Sequence, residues 1–163
     1  MQKKVKEMTE QEALLKLGAL CSRSEHCVYE MQEKMRRWGL DEQTQANIIA
    51  ALVKGRYIDE ERFARAFAND KVRYNKWGKR KVDQALYMKH IDEDIRRRVL
   101  DEIEETDFKE ALLPLLRAKL KSVKAKNDYE LNCKLIRFAM GRGYDMDEIR
   151  DCLTCIFTES EQA

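Results

Sequence analysis

Apolar residues recur along the chain at the three- and four-residue spacing of a helix face, in short runs broken by polar turns. Thr9 and Glu12 make a capping box for a first helix that buries Leu14, Leu17 and Leu20 and runs to about Cys21. Ser22 to Ser24 form a turn, and Ser24 is the expected N-cap of a second helix, with Val28, Met31 and Met35 inward and a stop at Gly39. Asp41 caps a third, carrying Ile48, Ile49 and Leu52 to Gly55. Asp59 opens a fourth, with Glu60 and Glu61 in its first turn and Phe63, Ala64 and Phe67 on one face. A fifth follows Gly78 with Val82 and Leu86, and a sixth follows Asp92 with Ile95, Val99, Leu100 and Ile103. Asp107 is the expected cap of a seventh, in which Pro114 lacks an amide proton and predicts a kink or a later start. Asn127 and Glu130 form a second capping box, opening an eighth helix through Leu131, Leu135 and Phe138 to Gly143. A ninth follows Asp145 with Ile149, Cys152, Leu153 and Ile156.

The nine helices fall into three matched sets. Gly39-Leu40-Asp41, His90-Ile91-Asp92 and Gly143-Tyr144-Asp145 align as helix stop, apolar plug and next N-cap, with plugs 51 and 53 residues apart. Nine residues before each plug stand Met31, Val82 and Leu135, and twelve after stand Leu52, Ile103 and Ile156. Agreement in caps as well as core predicts an all-α chain of three tandem three-helix repeats, elongated and curved, each contacting mainly its neighbours. The boundaries are a polar tail 1–8, repeats 9–56, 57–105 and 106–158, and a tail 159–163.

Composition narrows the class. The chain has 163 residues, 44% hydrophobic and 38% charged, with six glycines and one proline, which favours solvated amphipathic helices over a sheet. The net charge of +2 means that any surface for an anionic polymer arises from local segregation. Met1 to Met8 has lysines but no apolar stretch, and no run is long enough to span a bilayer, so a cytoplasmic location is expected. Five cysteines, Cys21, Cys27, Cys133, Cys152 and Cys155, read as reduced thiols on helix faces. Cys152 and Cys155 share a spacing suited to one helix face, but zinc would require two more ligands. His26 beside Cys27 and His90 at a helix end have no evident catalytic pairing. Neither a cofactor loop nor a metal motif is present.

The stretch Tyr57-Ile58-Asp59-Glu60-Glu61-Arg62-Phe63-Ala64 resembles the Tyr-Leu-Asp-Asp-x-x-Phe-Ala opening of the middle repeat in the RecX family of bacterial recombination regulators. Gly78, the basic triplet after it, Val82, Leu86, Lys89 and Ile91 are similar to that family's Gly-x-Arg-Arg-Ile…Leu…Lys-Gly-Ile run. His90 stands where the family usually has glycine, and Ala85 where it often has an acid. The resemblance covers Glu12 to Phe157. It implies a curved, modular, non-catalytic protein that binds the RecA recombinase filament, lodges in its groove and limits growth, ATP turnover and strand exchange in DNA repair. Direct binding of single- and double-stranded DNA is implied for many members, and here a monomer without cofactor or membrane contact is expected.

Charge then singles out the candidate surface. Between Lys71 and Lys89 stand Lys71, Arg73, Lys76, Lys79, Arg80, Lys81 and Lys89, against Asp83 alone. This is either a solvated face or a partner site for protein or DNA. Lys79, Arg80 and Lys81 fall in a helix's first turn, where cations oppose the dipole by about 0.3–1 kcal/mol each. An anion seated on that turn would reverse the sign. Tyr74 and Trp77 either stack on bases or cover a helix junction. Arg96 to Arg98, Arg117, Lys119, Lys121, Lys124 and Lys126 extend the basic content further along the chain. The alternative function is a DNA-binding scaffold acting mainly through phosphate contacts.

Overall fold

The computed structural model describes residues 7–161; the remaining residues of the expected tails, 1–6 and 162–163, lie outside the described residues. Among the described residues there are nine helices and no strand. They are α1 (Glu10–Arg23), α2 (Val28–Arg37), α3 (Glu42–Lys54), α4 (Glu60–Arg73), α5 (Lys79–Met88), α6 (Glu93–Asp101), α7 (Glu105–Ser122), α8 (Asp128–Gly141) and α9 (Met146–Glu161). Two compact units contain them, Met1–Ala66 and Phe67–Ala163.

The three aligned plugs share one backbone device. Gly39, His90 and Gly143 are all left-handed, with φ of 74°, 60° and 93°. The amides of Leu40, Ile91 and Tyr144 reach back to the carbonyls of Met35, Leu86 and Ala139 at 3.1, 3.2 and 3.3 Å. Each is the long hydrogen bond of a Schellman motif, which caps the helix and presses an apolar residue onto the last turn. Met35, Leu86 and Ala139 are fully buried, so the plug is the outer half of a core contact. After α3 the same device recurs with Arg56 at φ 59° and the Tyr57 amide on Leu52 O at 2.9 Å. The residue in the helix-ending conformation there is Arg56, not Gly55.

In the first unit, α3 packs against α1 and α2 over Ala13, Leu17, Met31, Met35, Ile48, Leu52 and Ile58. Thr9, Asp41 and Asp59 cap as expected, accepting from the amides of Glu12, Thr44 and Arg62. Ser24 does not cap α2. It faces His26, while Cys27 is the N-cap and its amide donates to Glu30 Oε1 at 3.2 Å. The fully buried Cys27 side chain fixes where the chain turns, which outweighs the intrinsic capping preference of serine.

In the second unit, α5 pairs with α6, and α7 packs along α8 and α9. α7 starts at Glu105, before Asp107, and continues through Pro114. Leu112 and Leu116 on either side of the proline are fully buried, so packing of that face holds a helix whose ladder lacks one donor. Asn127 caps α8, but Glu130 reaches the Lys126 amide instead of closing the box on Asn127. Asp145 and Glu148 make the reciprocal box at α9, at 2.9 and 3.1 Å. α9 runs three residues past 158, the expected end of the third repeat.

Candidate interaction surface

The basic segment is anchored by a backbone crossing inside the second unit. The Gly78 amide donates to Arg142 O at 2.8 Å, the Arg80 amide to Gly143 O at 3.0 Å, and the Tyr144 hydroxyl to Lys76 O at 2.9 Å. A Cβ on Gly78 would stand 2.3 Å from Gly143 C, which is why glycine is required there. The start of α5 thus abuts the end of α8. The expectation of an anion on the first turn of α5 is overturned for these amides: carbonyls of the α8 terminus already accept from them. Those carbonyls carry the negative end of the α8 dipole, so Lys79, Arg80 and Lys81 sit where cations are favoured.

Side chains sort differently. Arg73, Tyr74, Lys79 and Arg80 are exposed, Tyr74 at 79%, while Lys71, Lys76, Trp77 and Lys81 are half-buried. Trp77 is clasped by Lys71 Nζ and Lys81 Nζ, 4.9 and 4.7 Å from its ring centre. Its ring is thus engaged by cations, and Tyr74 is the aromatic left open for stacking. Lys79 is paired with Asp101 at 3.2 Å. Among the described residues no carboxylate pairs with Lys71, Arg73, Lys76, Arg80 or Lys81. Lys76 is left-handed at φ 56°, held by the Tyr144 hydroxyl on its carbonyl. Lys89 caps the opposite end of α5 and is not brought together with the others.

A groove of about 400 Å³ beside Arg73 and Lys76 is closed on its other wall by Asp107 and Glu110, so it is mixed in charge. Arg96 turns inward, to Asp83 at 2.9 Å and Ile91 O at 2.8 Å, and Arg97 pairs with Glu93, so neither extends the basic surface.

Most of the Tyr57-to-Ala64 motif is structural, although the Tyr57 side chain is 46% exposed. Ile58, Phe63 and Ala64 are buried, Asp59 caps α4, and Glu60 Oε1 accepts from the Val28 amide at 2.8 Å at the start of α2. Arg62 bonds Glu25 at 2.6 Å and the carbonyls of Arg56 and Tyr57 at 3.0 and 3.3 Å.

Among the described residues, the titratable groups Cys152 and Glu148, with shifted protonation, lie apart from the basic segment's cations. Cys152 is buried and its thiol is pushed up to about 11 by desolvation, whereas Cys155, expected on the same face, is exposed. Glu148 is 3% exposed, and burial raises its carboxyl to about 7 against the lowering effect of the Asp145 amide. Burial also raises the Tyr144 phenol. Among the described residues no group of three or more His, Cys, Asp or Glu is placed to hold a metal, and no helix is long and apolar enough to cross a membrane.

Sequence reasoning placed Tyr144 only as a plug and did not find its bond to Lys76, 68 residues away. Nor did it find that Phe138 lies between Lys119 Nζ at 5.2 Å and the Arg142 guanidinium at 5.3 Å. The four-residue spacing of Phe138 and Arg142 was the available signal.

Comparison with known proteins agrees with this architecture. The family models "RecX, second three-helix domain" and "RecX, third three-helix domain" match residues 59–100 and 105–153. The chain is 32% identical over 138 residues to regulatory protein RecX of Vibrio parahaemolyticus, covering 83% of this chain and 85% of that one. With the Clostridium botulinum Eklund 17B protein of the same name identity is 29%, over 75% of this chain and 58% of that relative. The fold matches a crystal structure of RecX from Lactobacillus salivarius with TM-score 0.79 at 16% identity, over 89% of this chain and 94% of that one. The chain therefore belongs to the RecX family, non-catalytic regulatory proteins that act on the RecA recombinase.

Proposed function

We propose that this chain, as a single copy in the cytoplasm, binds the RecA–DNA filament in its helical groove and limits filament growth, ATP turnover and strand exchange. The contact surface is the Lys71–Lys81 segment, with Arg73, Tyr74, Lys76 and Arg80 at its exposed edge and Trp77 between Lys71 and Lys81. The observation that carries this reading is the contrast between a fixed backbone and uncompensated side chains: the loop is pinned by Tyr144 and Arg142, yet five of its cations lack a carboxylate partner among the described residues. Preorganised charge of this kind lowers the ordering cost of binding. Lys79 and Lys89 contribute less, the first being paired with Asp101 and the second lying at the far end of α5.

Adding the protein to RecA on single-stranded DNA should depress ATP hydrolysis and strand exchange. Unchanged rates at excess protein, with filaments confirmed by microscopy, would overturn the proposal. A scaffold acting through phosphate contacts alone would bind DNA in a steeply salt-dependent way and leave recombinase turnover intact on saturated filaments.

A further inference from the structure

The contact of Phe138 with Lys119 and Arg142 repeats, in the third repeat, the arrangement of Trp77 with Lys71 and Lys81 in the second. The two meet at the backbone crossing: Arg142 O accepts from the Gly78 amide, and a Cβ on Gly143 would stand 2.4 Å from Lys81 Cβ. Among the described residues neither Lys119 nor Arg142 has a carboxylate partner, whereas their neighbours Arg117 and Lys134 are paired with Glu159 and Glu130. Phe138, Lys119 and Arg142 are all half-buried, so the cations rest on a ring whose apolar face they cover.

We propose that Lys119 and Arg142, held on Phe138, continue the surface of Lys71, Trp77 and Lys81 into the third repeat as one track for the phosphodiester backbone of a nucleic-acid strand. This rests on the reading that the Lys71–Lys81 segment is a contact surface. Phosphate is favoured over an acidic protein face for two reasons. Lysine is depleted from protein–protein interface cores, where exposed aromatics are enriched, but supplies phosphate contacts. Both rings in the track are engaged by cations, which suits backbone contact without base reading.

The test is fluorescence anisotropy of a labelled single-stranded oligonucleotide, titrated with salt, for wild type, K71A/K81A, K119A/R142A and K134A. Two lost phosphate contacts flatten the log–log salt slope by about 1.4 and weaken binding roughly tenfold near 0.1 M salt. K119A/R142A shows both changes with an unaltered helical spectrum, and K134A, whose ammonium is already held by Glu130, shows neither. If K71A/K81A weakens binding and K119A/R142A does not, the track ends in the second repeat; the extension is then wrong while the contact surface stands. If neither pair matters, the strand is held elsewhere and the track is wrong, whereas the contact surface fails only if K71A/K81A also leaves inhibition of the recombinase filament intact. If wild type does not bind the oligonucleotide but K119A/R142A loosens its hold on a recombinase filament, the surface serves protein and the proposal is overturned.

Discussion

Helix α4 starts and ends in opposite circumstances. In its first turn Arg62 is bonded to a carboxylate and two carbonyls, Glu60 reaches the α2 terminus and Asp59 caps the helix. In its last turn Arg73 is exposed and without an ion-pair partner among the described residues, and Tyr74 follows at 79% exposure. The same side chain, arginine, is thus a brace at one end and a free cation at the other. A conspicuous motif marks where the fold is made, whereas the surface proposed to meet a partner lies where the fold leaves charge uncompensated.

The contrast is sharpest when backbone and side chains are separated, and the largest predicted effect does this. Gly78 lies within the exposed basic segment, yet a methyl group there meets backbone atoms of Gly143 and Tyr144 at 2.3 and 2.4 Å. Neither can move without breaking the α5–α8 junction. Gly78→Ala should cost about 3 kcal/mol or more in urea denaturation. A loss below about 1 kcal/mol would mean that the segment's backbone is as open as its side chains.

Next in size is a pH effect on the third repeat. The Glu148 carboxyl is raised by burial to about 7 in the folded chain, against roughly 4.3 when unfolded. Its protonated form is the one the fold favours, so the stabilisation is complete below about pH 4 and is lost as pH rises through 7. The loss is on the order of 2 kcal/mol. Glu148→Gln keeps an acceptor for the Asp145 amide. The stability difference between this variant and wild type should therefore grow in the variant's favour from pH 5 to pH 8. A constant difference would show that Glu148 ionises without penalty.

Core and repeats were legible because periodicity and caps both report burial: the buried Met31, Val82, Leu135, Leu52 and Ile156 all stood in the alignment, with Ile103 only partly covered. His90 was legible as a helix stop despite lacking glycine's freedom, since its place in the triplet required φ above zero. The start of α2 was not, because Ser24 and Cys27 compete and burial, a tertiary quantity, decides. The surroundings of the basic segment were not legible. Charge density singled out Lys71–Lys81 as a candidate, but which of its amides were free depended on where the α8 terminus lay in space, and no local spacing encodes that.

The smallest effect tests the comparison most directly, because it uses one residue type in one helix. Arg62→Ala removes the partner of Glu25, a group with one oxygen already buried and unsatisfied, and releases two turn carbonyls. With Arg62 itself partly exposed, the cost should be about 1–2 kcal/mol. Arg73→Ala removes a solvated cation and should stay within about 0.5 kcal/mol of wild type. Inhibition of recombinase turnover should reverse the ranking: Arg73→Ala weakens it, while Arg62→Ala, assayed below its unfolding transition, retains it. If Arg73→Ala destabilises as much as Arg62→Ala, the last turn of α4 is a brace like the first, and the partner surface must be sought elsewhere.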